Sequence, residues 1–421
     1  MTSRILQIAP SVPHAAVPHA GGRFQLQVVQ AQQEAGAHVM LLVPSYPATR
    51  RDIPRAPEWL RVVDPERGLE HGVVVSLLLR ASHRLLALAA RSPLPWLHPP
   101  FIASLLLSSR VRRLLRGADV IDLQWYEMVT LAPLIRAIAG RRPRLIGTFH
   151  DVMSQRMSRR AEFESAPEES RRFQRLAQQH RRLEKFLARW LDTCLVLSSK
   201  DADLLIASGI PPYKVQVVNP LVQVPASATD TPPPSPRTDK VLVVGFLMRH
   251  ENIDAAQWVI SEMWPTVLAA VPGAELHVIG DEAPDRLNDL AKNAPRVVMR
   301  GYVDDLWTEY RQAACNVVAL RDGAGVKFKT IESIIAGVPT VATPIGAEGV
   351  ADPSSFVTIS EDPAELAQGI IAALTDPREA EHARDSARRI TDRHGATAFS
   401  RTIRRIYLGD PARPAPGDTS S

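Results

Sequence analysis

Residues 321 to 343 read RDGAGVKFKTIESIIAGVPTVAT, and their types and spacing describe an anion site. Gly323 and Gly325, with Ala324 between them, let the backbone turn tightly and expose N–H groups. An apolar helix is expected from about Val326 to Ala336, closed by Gly337 and Pro339. Lys327 and Lys329 fall in its first turn, where the macrodipole is positive and a cation is mildly unfavourable without an anion nearby. Backbone donors, a positive helix end and two lysines together suit a diphosphate. Glu332, one turn further on, lies at a depth where a carboxylate accepts from ribose hydroxyls. The plainer alternative is that both lysines are solvated and Glu332 offers them i,i+3 pairing.

Other groups have chemistry within reach. GTFHD places His150 and Asp151 at the end of an apolar strand. His150 suits donation to a phosphate or a sugar hydroxyl, and Asp151 suits orienting it or taking a proton; a strand-end cap and turn is the equal alternative. Gly21 and Gly22 open a helix that ends at Gly36, which permits close approach of backbone to ligand, although GxGxxG is absent. His180 recurs with Phe173, Leu176, Leu183 and Leu187 every three or four residues and reads as a packed residue. The Asp304–Asp305 pair reads as a helix cap rather than a metal motif. The histidines show no metal-ligand spacing, so no metal is expected.

These groups must be positioned by regular elements, and the chain supplies two sets of them. Apolar runs begin at Arg4, His38, Gly72, Asp119, Arg144, Thr193 and Val215, and again at Lys240, Glu275, Arg296, Cys315, Pro339 and Phe356. Most are apolar throughout, and most gaps between them are long enough for a crossover helix. That pattern predicts parallel strands buried on both faces, in two doubly wound α/β domains. Between the sets, residues 223–239 are rich in Pro, Ser and Thr and read as a linker. The expected organisation is a first domain over 1–222, a second over 240–384, a helical stretch over 385–410 crossing back to the first, and a disordered tail from 411. In such sheets ligands bind beyond the carboxyl ends of the strands, so the loops after Pro10, His150, Gly245, Gly280, Leu320 and Thr343 are the places to look.

Composition excludes several classes. Cys194 and Cys315 each lie inside an apolar run, with no disulfide or zinc pattern, which fits a reducing compartment. The start, MTSRILQIAP, has no long apolar core after a basic region, and Arg80, His83 and Arg84 interrupt the best membrane-span candidate. A cytoplasmic protein with at most surface contact to a membrane is expected. The net charge of +5 is matched by residues 156 to 189 alone, which hold ten Arg or Lys against five Glu. A solvated face is the default reading of these arginines; contact with an anionic acceptor or lipid head groups is the functional one. No nucleic-acid module is recognisable.

The sequence resembles the family 4 (group 1) glycosyltransferases of the GT-B fold over nearly its whole length. VVGFLMRHENIDAAQWVI, VPGAELHVIGD, RGYVDDLWTEYRQA, GAGVKFKTIESIIAGVPTVAT and GAEGV follow the family's order and spacing, and IAPSVPHAAVPHAGG and TFHD match its first-domain loops. The resemblance implies two Rossmann-like domains facing a cleft, and a retaining, metal-independent transfer without a cofactor. It implies a nucleotide-diphosphate sugar as donor, held mainly by the second domain. A glycan, lipid-linked or small-molecule acceptor would bind in the first. By position, Lys327 and Lys329 would hold the diphosphate, Glu332 the ribose, and His150 the donor sugar or phosphate. Gly21, Gly22, Gly245, Gly323 and Gly325 would approach the donor, with Asp151 on the acceptor side. Ala324 stands where the family usually has a sugar-binding Glu, and Phe246 and Glu251 replace an Arg and a Lys. A subgroup with GxGxRxKxxEA is the nearest match, with Lys327 in its Arg position. A catalytically silent binding protein and a nucleotide-sugar epimerase on the same fold are the alternatives.

Overall fold

The computed structural model describes residues 2–17, 20–66, 99–225, 239–350 and 352–409. Internal contacts divide the chain into two units. Met1–Ser158, Arg171–Leu221 and Thr397–Ser421 make up the first, and Arg159–Ser170 with Val222–Ala396 the second.

The first unit is built on seven strands: β1 (Arg4–Ile8), β2 (His38–Leu42), β3 (Arg61–Val63), β4 (Val120–Gln124), β5 (Arg144–Phe149), β6 (Thr193–Val196) and β7 (Val215–Val217). Their order in the sheet is β3-β2-β1-β4-β5-β6-β7, with parallel pairing throughout. All of β4 is buried, Asp122 and Gln124 included, because helices cover both faces of a parallel sheet. The edge strand β3 escapes sequence reading, being three residues with an exposed Arg at its start. The expected strand from Gly72 lies outside the described residues.

The second unit has six strands: β8 (Lys240–Val244), β9 (Glu275–Ile279), β10 (Val297–Gly301), β11 (Cys315–Val318), β12 (Thr340–Ala342) and β13 (Thr358–Ile359). They are ordered β10-β9-β8-β11-β12-β13 and are again all parallel. Both units are thus doubly wound α/β. Cys194 in β6 and Cys315 in β11 are buried and free, and burial pushes the Cys194 thiol up to about 12, so neither is a reactive thiolate.

The chain returns to the first unit at Thr397 rather than at 385. Two amphipathic helices meet at Gly395. Pro377–His394 buries Ala383, Ser386, Ile390 and His394, and Ile390 joins Ile331 and Ile334 in an apolar cluster of the second unit. Ala396–Leu408 instead buries Phe399, Ile403, Ile406 and Tyr407, with Phe399 edge-on to Phe24 at 6.2 Å and Ile406 O accepting from Arg144 Nη2 at 2.8 Å. Most of the expected linker and the tail after Gly409 lie outside the described residues. Among the described residues no helix is long and apolar enough to cross a membrane.

Candidate functional site

Each sheet has one point where the strand order reverses, between β1 and β4 in the first unit and between β8 and β11 in the second. Crossover connections leave in opposite directions there, so the loops diverge and open a crevice beyond the strand ends. In the second unit the diverging loops start at Gly245 and Arg321. In the first, Gly21 and Gly22 lie at the start of the helix Ala20–Glu34 that follows β1, and Trp125 starts the helix that follows β4.

The loop after β11 is held open by its own polar groups. Arg321 bonds Asp254 at 3.0 and 2.6 Å and lies over the Trp258 ring at 4.7 Å. Asp322 Oδ1 accepts from Gly323 N at 2.6 Å, and Gly323 and Gly325 take φ of 117° and 73°, which favour glycine. The helix then begins at Phe328 and runs to Ile335. Lys327 is therefore its N-cap in extended conformation, because the helix starts two residues later than the expected Val326. Its own N–H donates to Glu348 O at 3.1 Å, which diverts the backbone from helical hydrogen bonding.

Both lysines are folded into this loop. Lys327 Nζ donates to Ala324 O at 3.0 Å and Gly325 O at 2.7 Å, and lies 3.5 Å from Glu348 Oε2. Lys329 Nζ donates to Val244 O at 2.8 Å and Asn252 Oδ1 at 2.9 Å, which ties this helix to the end of β8. Burial first, and then the charge of Lys327, push the Lys329 ammonium down to about 7. Glu332 is half-buried one turn beyond Lys329. The loop after β8 approaches by backbone. A Cβ on Gly245 would meet Asn252 at 2.8 Å, and one on Gly280 would lie 1.9 Å from Gly245 O. Glycine at 280 lets the ends of β8 and β9 sit together beside the Val244 oxygen that holds Lys329.

Several members of this cluster are not legible as site residues in the sequence. Arg159 forms a bidentate pair with Glu348 and donates to Gly323 O at 2.8 Å, and Arg160 lies 3.1 Å from Asp322. Two arginines from the basic stretch therefore pair with the carboxylates that hold the glycine loop. Arg249 pairs with Glu251 at 3.1 Å, so the loop after β8 keeps a cation although Phe246 and Glu251 stand at the usual cationic places. The local signals that could have marked Asn252 and Glu348 are their positions just after short loops that follow β8 and β12.

In the first unit, His150 is 8% exposed at the end of β5. Its Nε2 is 2.9 Å from Gln124 Oε1, Trp125 stacks parallel to its ring at 4.2 Å between centroids, and Phe24 meets it edge-on at 5.5 Å. Gly21 lies against the same rings, since a Cβ there would be 3.2 Å from both His150 Nδ1 and the Trp125 indole. Trp125 has φ of 67°, a left-handed conformation unusual for an aromatic residue and typical of strain at a site. His150, Gly21 and the β4 end thus converge on one set of rings. Asp151 turns toward Arg156, 3.7 Å away, while the Nε2 side of His150 is taken by Gln124. His180 packs in its helix seam and bonds Tyr126 Oη at 2.9 Å through Nδ1. Asp305 caps its helix by accepting from Thr308 N at 3.1 Å. Among the described residues no three His, Cys, Asp or Glu side chains group as a metal would need.

Comparison with known proteins agrees with this architecture. The family described as "Glycosyl transferases group 1" matches residues 238–376, and the "Glycosyl transferase 4-like domain" matches residues 20–220. No curated protein matches the chain in sequence. Among solved structures, a sucrose-phosphate synthase from Thermosynechococcus elongatus is 16% identical with a TM-score of 0.66, over 96% of this chain and 98% of that one. Anabaena Alr3699/HepE in complex with UDP and glucose is 15% identical with a TM-score of 0.64, over 96% and 99%. S. aureus TarM, in complex with UDP and other ligands, is 9% identical with a TM-score of 0.66, over 96% and 100%. At these identities the likeness is one of fold.

Proposed function

The chain belongs to the group 1 glycosyltransferases of the family 4 type, with the GT-B fold, and from that premise we propose that it transfers a sugar, with retention of configuration, from a nucleotide-diphosphate sugar. The acceptor is a glycan, a lipid-linked sugar or a small molecule. The observation that carries this reading is the loop before Phe328, where Lys327 and Lys329 gather at a helix N-terminus between two glycine-bearing loops. A leaving diphosphate develops negative charge as the glycosidic bond breaks. Two ammonium groups and the helix end stabilise that charge in the way a divalent cation does elsewhere, so the transfer needs no metal. Glu332 binds the ribose, and Gly21 and Gly22 give the substrate access to backbone. His150 contacts the donor sugar and Asp151 serves the acceptor. Uridine is the first base to test, because Alr3699/HepE was crystallised with UDP and with UDP-glucose. The protein works in the cytoplasm, with peripheral contact to the membrane when its acceptor is lipid-linked.

A thermal-shift screen against nucleoside diphosphates and their sugars, followed by transfer assays, tests this. The wild type is expected to melt higher with one diphosphate. Lys327→Ala is expected to bind it about ten- to a hundredfold more weakly, the loss of a charge-assisted hydrogen bond of about 1.5–3 kcal/mol. Transfer at wild-type rate by that variant overturns the site. Saturable binding without transfer to any acceptor points instead to a catalytically silent binding protein, the reading that Ala324 favours. A changed sugar without an acceptor points to an epimerase.

A further inference from the structure

The strands of the first unit all run parallel, so their first residues share one edge of the sheet, opposite the crevice. That edge is basic. Arg4 opens β1 and Arg144 opens β5. Three arginines hold backbone there. Arg116 Nε donates to Ile138 O at 3.0 Å, Arg136 Nη1 to Gly140 O and Pro143 O at 3.3 and 3.0 Å, and Arg144 Nη2 to Ile406 O at 2.8 Å. The carbonyls of Ile138, Gly140 and Ile406 close helices, whose negative ends favour a cation. The last contact also brings the end of the C-terminal helix, with Arg404 and Arg405 exposed, to the same edge. Two carboxylates sit there, Asp119 and Asp192, and each has its own arginine, Arg4 at 3.5 Å and Arg136 at 2.7 Å. Arg141, Arg142 and Arg189 stay exposed on the connections into β5 and β6 and leave the edge strongly positive.

Aromatic side chains are exposed along the same edge. Phe186 and Trp190, 43% and 38% exposed, meet edge-on at 6.3 Å just before β6, and Tyr213, 77% exposed, precedes β7. Lys214 Nζ ties the two groups together by donating to Ala188 O and Leu191 O at 3.1 and 2.7 Å. The four adjacent strand starts from β4 to β7 span about 15 Å at the usual strand spacing. Arginine alone would suit any polyanion; the aromatic rim is what favours a bilayer, where such rings settle at head-group depth beside cations on anionic lipid. Charge of one sign rules out a second copy of the same face. We propose that this edge docks the protein on an anionic membrane surface, with the arginines on head groups and Trp190 and Phe186 at the interface. The crevice lies beyond the other ends of the strands, so the docked unit holds it away from the bilayer. Docking therefore does not depend on a lipid-linked acceptor and stands apart from the transferase reading.

The test is co-sedimentation of the full-length protein, at physiological ionic strength, with vesicles of phosphatidylcholine alone or mixed with phosphatidylglycerol. The wild type is expected to bind the mixed vesicles only, and less as salt rises. Arg141→Ser with Arg142→Ser is expected to bind about 25-fold more weakly, at about fivefold for each arginine near an anionic surface. Arg171→Ser with Arg175→Ser removes the same charge near the start of the helix Pro167–Leu187, about 20 Å from its last turn by helix rise and beyond the screening length. That pair is expected to bind as wild type. Trp190→Ala is expected to weaken binding without changing its salt dependence. No binding to the mixed vesicles, or an equal loss in the two arginine pairs, overturns the proposal. So does vesicle binding that survives Trp190→Ala together with equally tight binding of polyglutamate, which would mark the edge as a site for an acidic polypeptide. Nucleoside-diphosphate affinity is expected to stay unchanged in every variant. Vesicle binding is read without substrate, so a wild type that transfers no sugar defeats the functional reading and leaves this result standing.

Discussion

Lys329 and Lys327 share one loop but differ in kind. Lys327 has the Glu348 carboxylate 3.5 Å away, whereas the Nζ of Lys329 meets neutral oxygens of Val244 and Asn252. Burial, then the charges of Lys327 and Arg249, lower its ammonium to about 7, with Glu251 opposing. The sign of the pH effect follows. Between about pH 7 and the unfolded value of 10.5 the unfolded chain holds a proton that the folded one lacks, so this group's contribution to stability rises with pH. A bound diphosphate favours the charged ammonium, so binding in that window takes up a proton and weakens as pH rises, by at most about tenfold per unit. Calorimetry in buffers of different ionisation enthalpy should detect the proton uptake, and Lys329→Met should remove it. Affinity that stays flat across the window would show that the diphosphate does not meet Lys329. At this scale the sequence carries what is local in the chain: glycines, lysines and Glu332 within one turn. Asn252, Glu348 and Arg159 reach the same loop from far along the chain, and no spacing rule marks them.

The elements that carry the site depend on backbone contacts that side-chain patterns do not record. Gly245 ends the strand whose Val244 O holds Lys329, and Gly280 lies directly against Gly245 O. A Cβ at 280 would sit 1.9 Å from that oxygen, so the strand ends must part. Gly280→Ala is expected to destabilise the second unit by about 1–3 kcal/mol, as overpacking does, and to weaken nucleoside-diphosphate binding as well. Urea unfolding and binding titration measure the two effects, and an alanine variant as stable as wild type would contradict the contact. Most strands are legible from their apolar runs because burial on both faces forces them to be apolar. The edge strand β3 is not, since three residues with one side in solvent carry little pattern.

For the whole molecule, the C-terminal helix is the test of organisation. Phe399, Ile403, Ile406 and Tyr407 are buried in the first unit, although nearly two hundred residues separate them from its last strand. At about 1.5–3 kcal/mol for each large apolar side chain, their burial is worth on the order of 6 kcal/mol or more. That is comparable to the stability of an ordinary domain. Truncation after Ala396 is therefore expected to leave the first unit open to proteolysis and rapid hydrogen exchange while the second keeps its protection. Equal protection of both units would refute the assignment. The truncation also removes the Tyr407 hydroxyl from Asp122.

By itself, the sequence determined the two parallel α/β units, the glycine-lysine loop and the strand-end histidine. Each of these follows from local spacing or from burial that shapes a whole run of residues. Only the tertiary structure decided that Lys327 caps the helix instead of entering it, that Arg159 and Glu348 clamp the loop, and that the terminal helices part company at Gly395. Only the structure showed that Gln124 joins a buried carboxylate in the middle of β4 to His150. Such relations join atoms brought together by the strand order, and a one-dimensional pattern does not encode which distant donors will fill a buried acceptor.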